Sequence, residues 1–357
     1  MKLPEHGANP HRLYKEAGQR EPADIIDFSE NVHPFGPPAF VKQQWPDFFG
    51  LLTAYPDPEA EPFRTAAAQY HGVEKAQVAA GNGAAEIFTW LAKRYRNKRV
   101  LLVEPAFSEY RSTLESENAQ IVEINLQQSN AWKLKIEEVK KNIGGCDALY
   151  VCNPHNPTGR LLEINELAEI AELCRGVCEL VIDEAFIDFV GEHASFIPWL
   201  KDYPHVIIAR SMTKMYALAG LRLGYVVADS PVIRQLTEGA AHWNVNGLAA
   251  VAGARCFSEE AYRVQVMEAA SKERKKMEGF LTEAGCVFIP SAANFLCFRL
   301  PDPSKSEQFF RAMLEAGIVL RHTYSFRGMD GEWFRIGMKR AAAMERLRKE
   351  MHQWLTN

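Results

Sequence analysis

The chain is poor in several things, and each shortage removes a class of function. No stretch of its 357 residues approaches the ~18 uninterrupted apolar residues of a membrane span, so no membrane partner is expected. It has no long basic run, and its net charge is −4 with a pI near 6.2. A general nucleic-acid or anionic-membrane binder is therefore not expected, and any anion must be caught locally. The start, Met1-Lys2-Leu3-Pro4-Glu5-His6-Gly7, lacks the apolar core of a signal peptide, and the expectation is a cytoplasmic protein. The seven cysteines are an odd number, and some, such as Cys152 and Cys297, sit in strand-like apolar runs. They read as buried reduced thiols rather than a disulfide framework. Cys174 and Cys178 form a single C-x3-C pair, too few ligands for zinc, and no metal is expected.

What is present is ordinary for a globular protein: 47% hydrophobic and 24% charged residues, enough for a sizeable core. Short aliphatic runs recur at 99–103, 121–124, 148–151, 180–182, 206–209 and 225–228, with helical patterns between them at 84–95 and 163–174. Strands alternating with helices predict an α/β layer around a mostly parallel sheet, and continuous apolar runs fit strands buried on both faces. The ends differ. Residues 1–45 are rich in Pro, Gly and His and read as an irregular arm. After residue 245 a long helical region over 249–284 leads into strands at 287–289, 294–298, 318–321 and 333–336 and helices at 306–316 and 342–355. We expect an arm (1–45) associated with a small α+β domain (246–357), and a large α/β domain between them (46–245).

Several residues near the expected strand ends could carry chemistry. Ser211-Met212-Thr213-Lys214 follows an apolar run, with Arg222 soon after. Open α/β sheets bind ligands beyond the carboxyl ends of their strands, where a lysine is a candidate Schiff-base nucleophile and an arginine suits a phosphate. A solvated loop would read the same way. A serine acylase of the S-x-x-K kind would also need S-D-N and K-T-G, which are missing. Asp183 ends another apolar run, where a carboxylate could hold a pyridine nitrogen protonated; equally, it could simply end a strand. Gly81-Asn82-Gly83 opens a helix pattern and could seat a phosphate. It nearly mimics a dinucleotide fingerprint, with Glu104 as the distant acid, but Glu86 stands at the sixth position. Asn153-Pro154-His155-Asn156-Pro157 reads as a turn that could aim Asn156 at a ligand. His155 has no partners at metal spacing. Phe107 could stack on a flat ring or pack in the core.

In this order, Tyr55-Pro56, Gly81-Asn82-Gly83, Asn156-Pro157-x-Gly159, Asp183-x-Ala185, Ser211-x-x-Lys214, Arg222-x-Gly224 and Arg335 resemble the fold-type I pyridoxal-phosphate enzymes of the aminotransferase class I/II group. The resemblance runs from about His6 to Arg340. It implies pyridoxal 5'-phosphate as cofactor, with Lys214 as its Schiff-base lysine and proton shuttle. Asp183 would face the pyridine nitrogen, Asn156 the ring oxygen and Phe107 the ring face. Ala84, Ala85, Ser211, Thr213 and Arg222 would hold the phosphate. Tyr55 would reach the phosphate of a neighbouring subunit in a homodimer. Arg335 would receive a substrate carboxylate.

Two branches of the group are nearest, the histidinol-phosphate aminotransferases and the threonine-phosphate decarboxylases of cobalamin synthesis. Local strings resemble the decarboxylases: His6-Gly7, Asp27-Phe28-Ser29-x-Asn31, the run Asp183 to Phe189, Phe196-Ile197-Pro198 and Trp243-x-Val245-Asn246. Phe186 stands where a transaminase more often carries tyrosine. Departures are His155, where asparagine is commoner, and the run Glu30 to His33. The resemblance implies a small phosphorylated amino acid as substrate, with Arg321, His6 and Asn31 on its phosphate, and decarboxylation of threonine phosphate as the reaction. Transamination of histidinol phosphate is the alternative. A transcription regulator built on this fold would carry a basic DNA-binding extension, and none is visible.

Overall fold

The computed structural model describes residues 3–356. Among the described residues thirteen strands form in chain order: β1 (Ile26–Asp27), β2 (Val78–Asn82), β3 (Arg99–Glu104), β4 (Gln120–Asn125), β5 (Ala148–Cys152), β6 (Glu179–Asp183), β7 (Val206–Ser211), β8 (Leu223–Val227), β9 (Val287–Ile289), β10 (Phe295–Arg299), β11 (Ile318–Val319), β12 (Arg321–His322) and β13 (Trp333–Gly337). β2 to β8 make one sheet in the order β2-β8-β7-β6-β5-β3-β4. Strands β3 to β7 run parallel, while β8 lies antiparallel to both β7 and β2. Apart from Ile121 and Val122, half-buried on the edge strand β4, their Val, Ile and Leu residues are buried on both faces, as the continuous apolar runs require. The helix Ala84–Arg94 covers one face with Ile87, Phe88 and Leu91, and the helix Ile164–Cys174 packs Leu167 and Ile170 into the other core.

The strand order reverses between β3 and β5, because β4 lies on one side of β3 and β5 on the other. The crevice outside the carboxyl ends of such strands is where a ligand finds room. The turns after β3 and β5 carry Phe107 and Asn156 there.

A second, antiparallel sheet has the order β12-β13-β10-β9. The arm is tied to this part of the chain: β1 pairs in parallel with β11, and Tyr14 Oη donates to the Leu314 carbonyl at 2.7 Å. One expectation is refined and one corrected. The helical region expected over 249–284 comprises two helices, Gly247–Cys256 and Glu260–Glu283. Phe257 sits between them, buried against Phe63, Tyr70 and Tyr225, and anchors the first helix to the large sheet. The strand expected over 318–321 is also divided, since β11 pairs with β1 and β12 with β13. That division sets Arg321 directly across from Arg335. Among the described residues no helix is long and apolar enough to cross a membrane.

Candidate active site

A cavity of about 280 Å³ opens beyond the carboxyl ends of the parallel strands, facing β12 and β13. Asp183, the last residue of β6, lies on its wall. Its Oδ1 accepts from the Ala185 backbone N–H at 2.9 Å, and its Oδ2 accepts from the Tyr110 hydroxyl. Burial raises the Asp183 pKa, while the Tyr110 bond, the Lys214 charge and the Ala185 bond pull it back. Lys214 lies in the turn after β7, with Nζ 3.1 Å from Ser211 Oγ and 5.6 Å from the centre of the Phe186 ring. Burial pulls its pKa down to about 8, opposed by Asp183 and reinforced by Arg222 and Arg335. At neutral pH about one Lys214 in ten is then an uncharged, nucleophilic amine, against fewer than one in a thousand at the ordinary lysine pKa.

An anion cradle adjoins Lys214. Gly83 precedes the helix Ala84–Arg94 with φ +78°, and a Cβ there would stand 2.5 Å from Arg222 Nη2. A Cβ on Gly224 would stand 2.5 Å from the Ala84 nitrogen. Glycine at both positions lets the guanidinium and β8 close onto the helix start. The free N–H groups of Ala84 and Ala85, the hydroxyls of Ser211 and Thr213 (2.8 Å apart) and Arg222 supply donors of the kind a phosphate needs.

The opposite wall carries two arginines. Arg335 on β13 donates from Nη1 to Asn156 Oδ1 at 2.5 Å and from Nη2 to the Ser29 carbonyl at 2.9 Å. Arg321 on β12 donates to Ser325 Oγ at 2.6 Å and to the Glu5 carbonyl. Both guanidiniums lie near the Phe326 ring. Among the described residues neither forms a salt bridge with a carboxylate. Burial pulls the Arg321 pKa down to about 9, with Arg335 adding to it, and that of Arg335 down to about 10. Both stay cationic at neutral pH.

The cavity thus brings together His6, Asn31, Ala84, Phe107, Asn156, Asp183, Thr213, Lys214, Arg222, Arg321 and Arg335. Ser211 stands behind Lys214, and Ala85 is the next residue along the helix. Asn31 Oδ1 is buried without a partner, an acceptor left for a ligand. His6 sits at the rim, its Nε2 3.3 Å from Glu109 Oε1. Tyr55 lies outside this cavity, 83% exposed and 4.9 Å from the Trp243 ring. Sequence reasoning missed Tyr110 and Phe326. Tyr110 lies in the first turn of the helix Ser108–Ser116 with Leu114 four residues on, both buried, and that apolar spacing was its one signal. The dinucleotide reading fails on topology, because β2 is an antiparallel edge strand, and Glu104 is occupied by the Ala106 N–H at 2.7 Å and Arg111 at 2.8 Å. His155 bonds Thr158 Oγ1 at 2.7 Å. A larger cavity, about 390 Å³ around Trp132 and His155, holds none of the residues expected to act.

The donors fit pyridoxal phosphate. The cradle suits its phosphate, and Asp183 suits a protonated ring nitrogen. Asn156 has its oxygen occupied by Arg335 and its amide N–H groups free for the ring oxygen. Phe107 offers a flat apolar face and Lys214 an amine. Comparison with known proteins agrees with this chemistry. The model of the family "Aminotransferase class I and II" matches residues 23–350. A threonine-phosphate decarboxylase of Salmonella typhimurium is 32% identical over 98% of this chain and 96% of its own length. The histidinol-phosphate aminotransferase structure from Clostridium acetobutylicum superposes with a TM-score of 0.88 at 25% identity, covering 93% of this chain and 100% of that one. A histidinol-phosphate aminotransferase from Sinorhizobium meliloti, in complex with pyridoxal-5'-phosphate, shares the fold with a TM-score of 0.87 at 21% identity, covering 98% and 95% of the two chains.

Proposed function

The chain belongs to the aminotransferase class I and II family, whose members use pyridoxal 5'-phosphate, and from that premise we propose that it decarboxylates L-threonine O-3-phosphate to aminopropanol phosphate and CO2, for cobalamin synthesis. The observation that carries the reading is the pair Arg321 and Arg335, cross-strand neighbours, buried, and without a carboxylate partner among the described residues. Two uncompensated cations side by side suit one small substrate with two anions. Threonine phosphate carries both a phosphate and a carboxylate. Histidinol phosphate has only the phosphate, but the 2-oxoglutarate of a transamination also carries two anions, so the pair supports a dianionic substrate and the product assay chooses the reaction. The 32% identity with a threonine-phosphate decarboxylase supports the same reading.

Bound pyridoxal phosphate supplies an electron sink for the pair left at the α-carbon. The chain's residues do the rest. Asp183 keeps the ring nitrogen's proton in place. Arg335 takes the substrate carboxylate, and Arg321, His6 and Asn31 take its phosphate. Their placement would set which α-carbon bond the site presents for cleavage. Lys214 Nζ carries the proton that returns to the α-carbon. Phe186 puts an apolar ring, packed edge-on to Phe295 at 4.9 Å, where a phenol would otherwise reach the ring oxygen, and leaves that bond to Asn156. Trp45, Phe49, Leu52, Tyr55 and Trp243 are exposed. A second copy of the chain covering them would carry Tyr55 to the neighbouring phosphate.

The test is a product assay on cofactor-loaded protein. Threonine phosphate alone should yield CO2 and aminopropanol phosphate in equal amounts. Glutamate formed from histidinol phosphate and 2-oxoglutarate, with no CO2 from threonine phosphate, would make it a transaminase instead.

A further inference from the structure

The Asp183 carboxylate is held by two donors, and one of them belongs to no motif. The Tyr110 hydroxyl donates to Oδ2 while the Ala185 N–H donates to Oδ1. Tyr110 is 3% exposed, and its ring is packed by Phe88, Phe107 and Tyr150 at 4.6, 5.7 and 5.7 Å between centroids. Within that aromatic nest its hydroxyl is the polar atom turned to Asp183, with the Cys152 thiol beside it. Burial of a carboxylate favours its neutral, protonated form. A carboxylate that takes up a proton cannot keep a neighbouring nitrogen cationic.

We propose that Tyr110 is a positioning residue that keeps Asp183 ionised, and so keeps the proton on the ring nitrogen of the cofactor. The inference rests on the reading of Asp183 as the residue facing that nitrogen. One proton is shared between two sites, the nitrogen and the carboxylate. The pair is neutral overall wherever the proton sits, either as a cationic ring beside a carboxylate or as a neutral ring beside a carboxylic acid. A donor bonded to the carboxylate stabilises the first state selectively, because an oxygen carrying negative charge accepts a stronger hydrogen bond than one in a neutral acid. Phe107, three residues earlier on the same turn, is then the ring-facing member of a pair in which Tyr110 acts one layer deeper. A fixed phenol on a packed aromatic platform does this without bringing a second charge into the site.

The experiment uses the holoenzyme reconstituted with pyridoxal phosphate labelled with 15N in the ring. The ring nitrogen's chemical shift is read by solid-state NMR in wild type, Tyr110→Phe and Asp183→Asn, alongside cofactor affinity and steady-state rates. Asp183→Asn should move the shift to that of a neutral pyridine. Tyr110→Phe should move it part of the way, with kcat lowered about tenfold to a hundredfold for one lost charge-assisted bond and KM within about twofold. Replacing Tyr110 by 2,3-difluorotyrosine, a stronger donor of nearly the same shape, should move the shift the other way. That variant keeps the test open if the phenylalanine variant folds poorly. A shift that follows Asp183→Asn but ignores both changes at Tyr110 would overturn the inference and leave the reading of Asp183 standing. A shift that ignores Asp183→Asn as well would overturn both.

Discussion

Arg210 on β7 and the pair Arg321 and Arg335 are all withdrawn from water, yet their surroundings differ. Arg210, 1% exposed, meets Glu184 at 3.2 Å, Asp188 at 3.0 Å and Glu192 at 2.6 Å. Glu184 is further held by the Ser195 hydroxyl and the Phe196 N–H, each at 2.7 Å. Arg321 and Arg335 meet carbonyls, a serine, a histidine and an asparagine. One region has more negative than positive charge, and the other has two positive charges with no acid in direct contact among the described residues, the Glu5 and Asp27 carboxylates acting on them only from a distance. A buried ion pair is a structural element whose members depend on each other. A buried cation left without an acid is stabilised when an anion arrives. On the proposed function, the comparison separates arginine that holds the fold from arginine placed to receive a ligand.

The largest expected effect would break the comparison at the second region. Arg335→Met and Arg321→Met should each lower kcat/KM for threonine phosphate by about 10²–10⁴, taking two charge-assisted bonds at ~1.5–3 kcal/mol each. Folding stability should fall by about 1–3 kcal/mol, for the buried acceptors left without their donor, less than the loss of a buried ion-pair partner. With Arg321 on the phosphate, the variant Arg321→Met should also discriminate little between threonine phosphate and free threonine, whereas wild type should prefer the phosphate by a similar ~10²–10⁴. Steady-state kinetics with both substrates decides it, and equal kcat/KM for the two in wild type would remove Arg321 from the phosphate.

Arg210→Met should do the reverse. Leaving Glu184 and Asp188 buried without their cation should cost ~3–5 kcal/mol of stability, read as a lower denaturation midpoint, while the turnover of the protein that remains folded stays close to wild type. A variant that unfolds no more easily than wild type would show that the cluster is not structural.

This contrast also shows what was legible in the sequence. Lys214, Asp183, Asn156 and Phe107 were readable because each follows an apolar strand, and the open end of a parallel sheet is where such turns converge. Arg321 and Arg335 could be placed only by resemblance, since nothing in the sequence of β12 and β13 says that they pair across from each other. The run from Asp183 to Phe189 resembled the decarboxylase branch, but its Glu184 and Asp188 are occupied by Arg210. Part of that string therefore reports the packing under the site and not the substrate. Tyr110 escaped notice because its partner, Asp183, is distant in sequence and the contact exists only once β3 and β6 lie in one sheet. The break at Phe257 within the helical region could not be placed for the same reason: its cause is a cluster of rings from elsewhere in the chain.

Ligand stabilisation sharpens the difference at a smaller scale. At about one hundred times its dissociation constant, threonine phosphate should raise the stability of the wild-type cofactor-loaded protein by ~2.7 kcal/mol. Arg210→Met should show the same increment on its lower baseline. Arg321→Met should lose most of it at that ligand concentration. Thermal shift with and without ligand reads all three, and an equal increment in Arg321→Met and wild type would place the phosphate elsewhere.

The smallest effect concerns pH. Lys214 has its pKa pulled down to about 8, and Arg335 is among the groups that lower it, while Arg210 is not. Lysine attacks a carbonyl only as the neutral amine. The rate at which cofactor-free protein captures pyridoxal phosphate should therefore rise with pH and level off above about 8. The sign for stability is the same. In the unfolded chain Lys214 stays protonated to its ordinary pKa, above the native value, so between the two the unfolded state binds more protons and the folded state gains stability as pH rises. Arg335→Met removes a repelling cation, so the inflection should move upward toward the ordinary lysine value, and the stability gain should begin at higher pH. Arg210→Met should leave the inflection where it is. Stopped-flow capture across pH compares the three proteins, and an inflection unmoved by Arg335→Met would mean that its charge does not reach Lys214, leaving burial and Arg222 to account for the reactive amine.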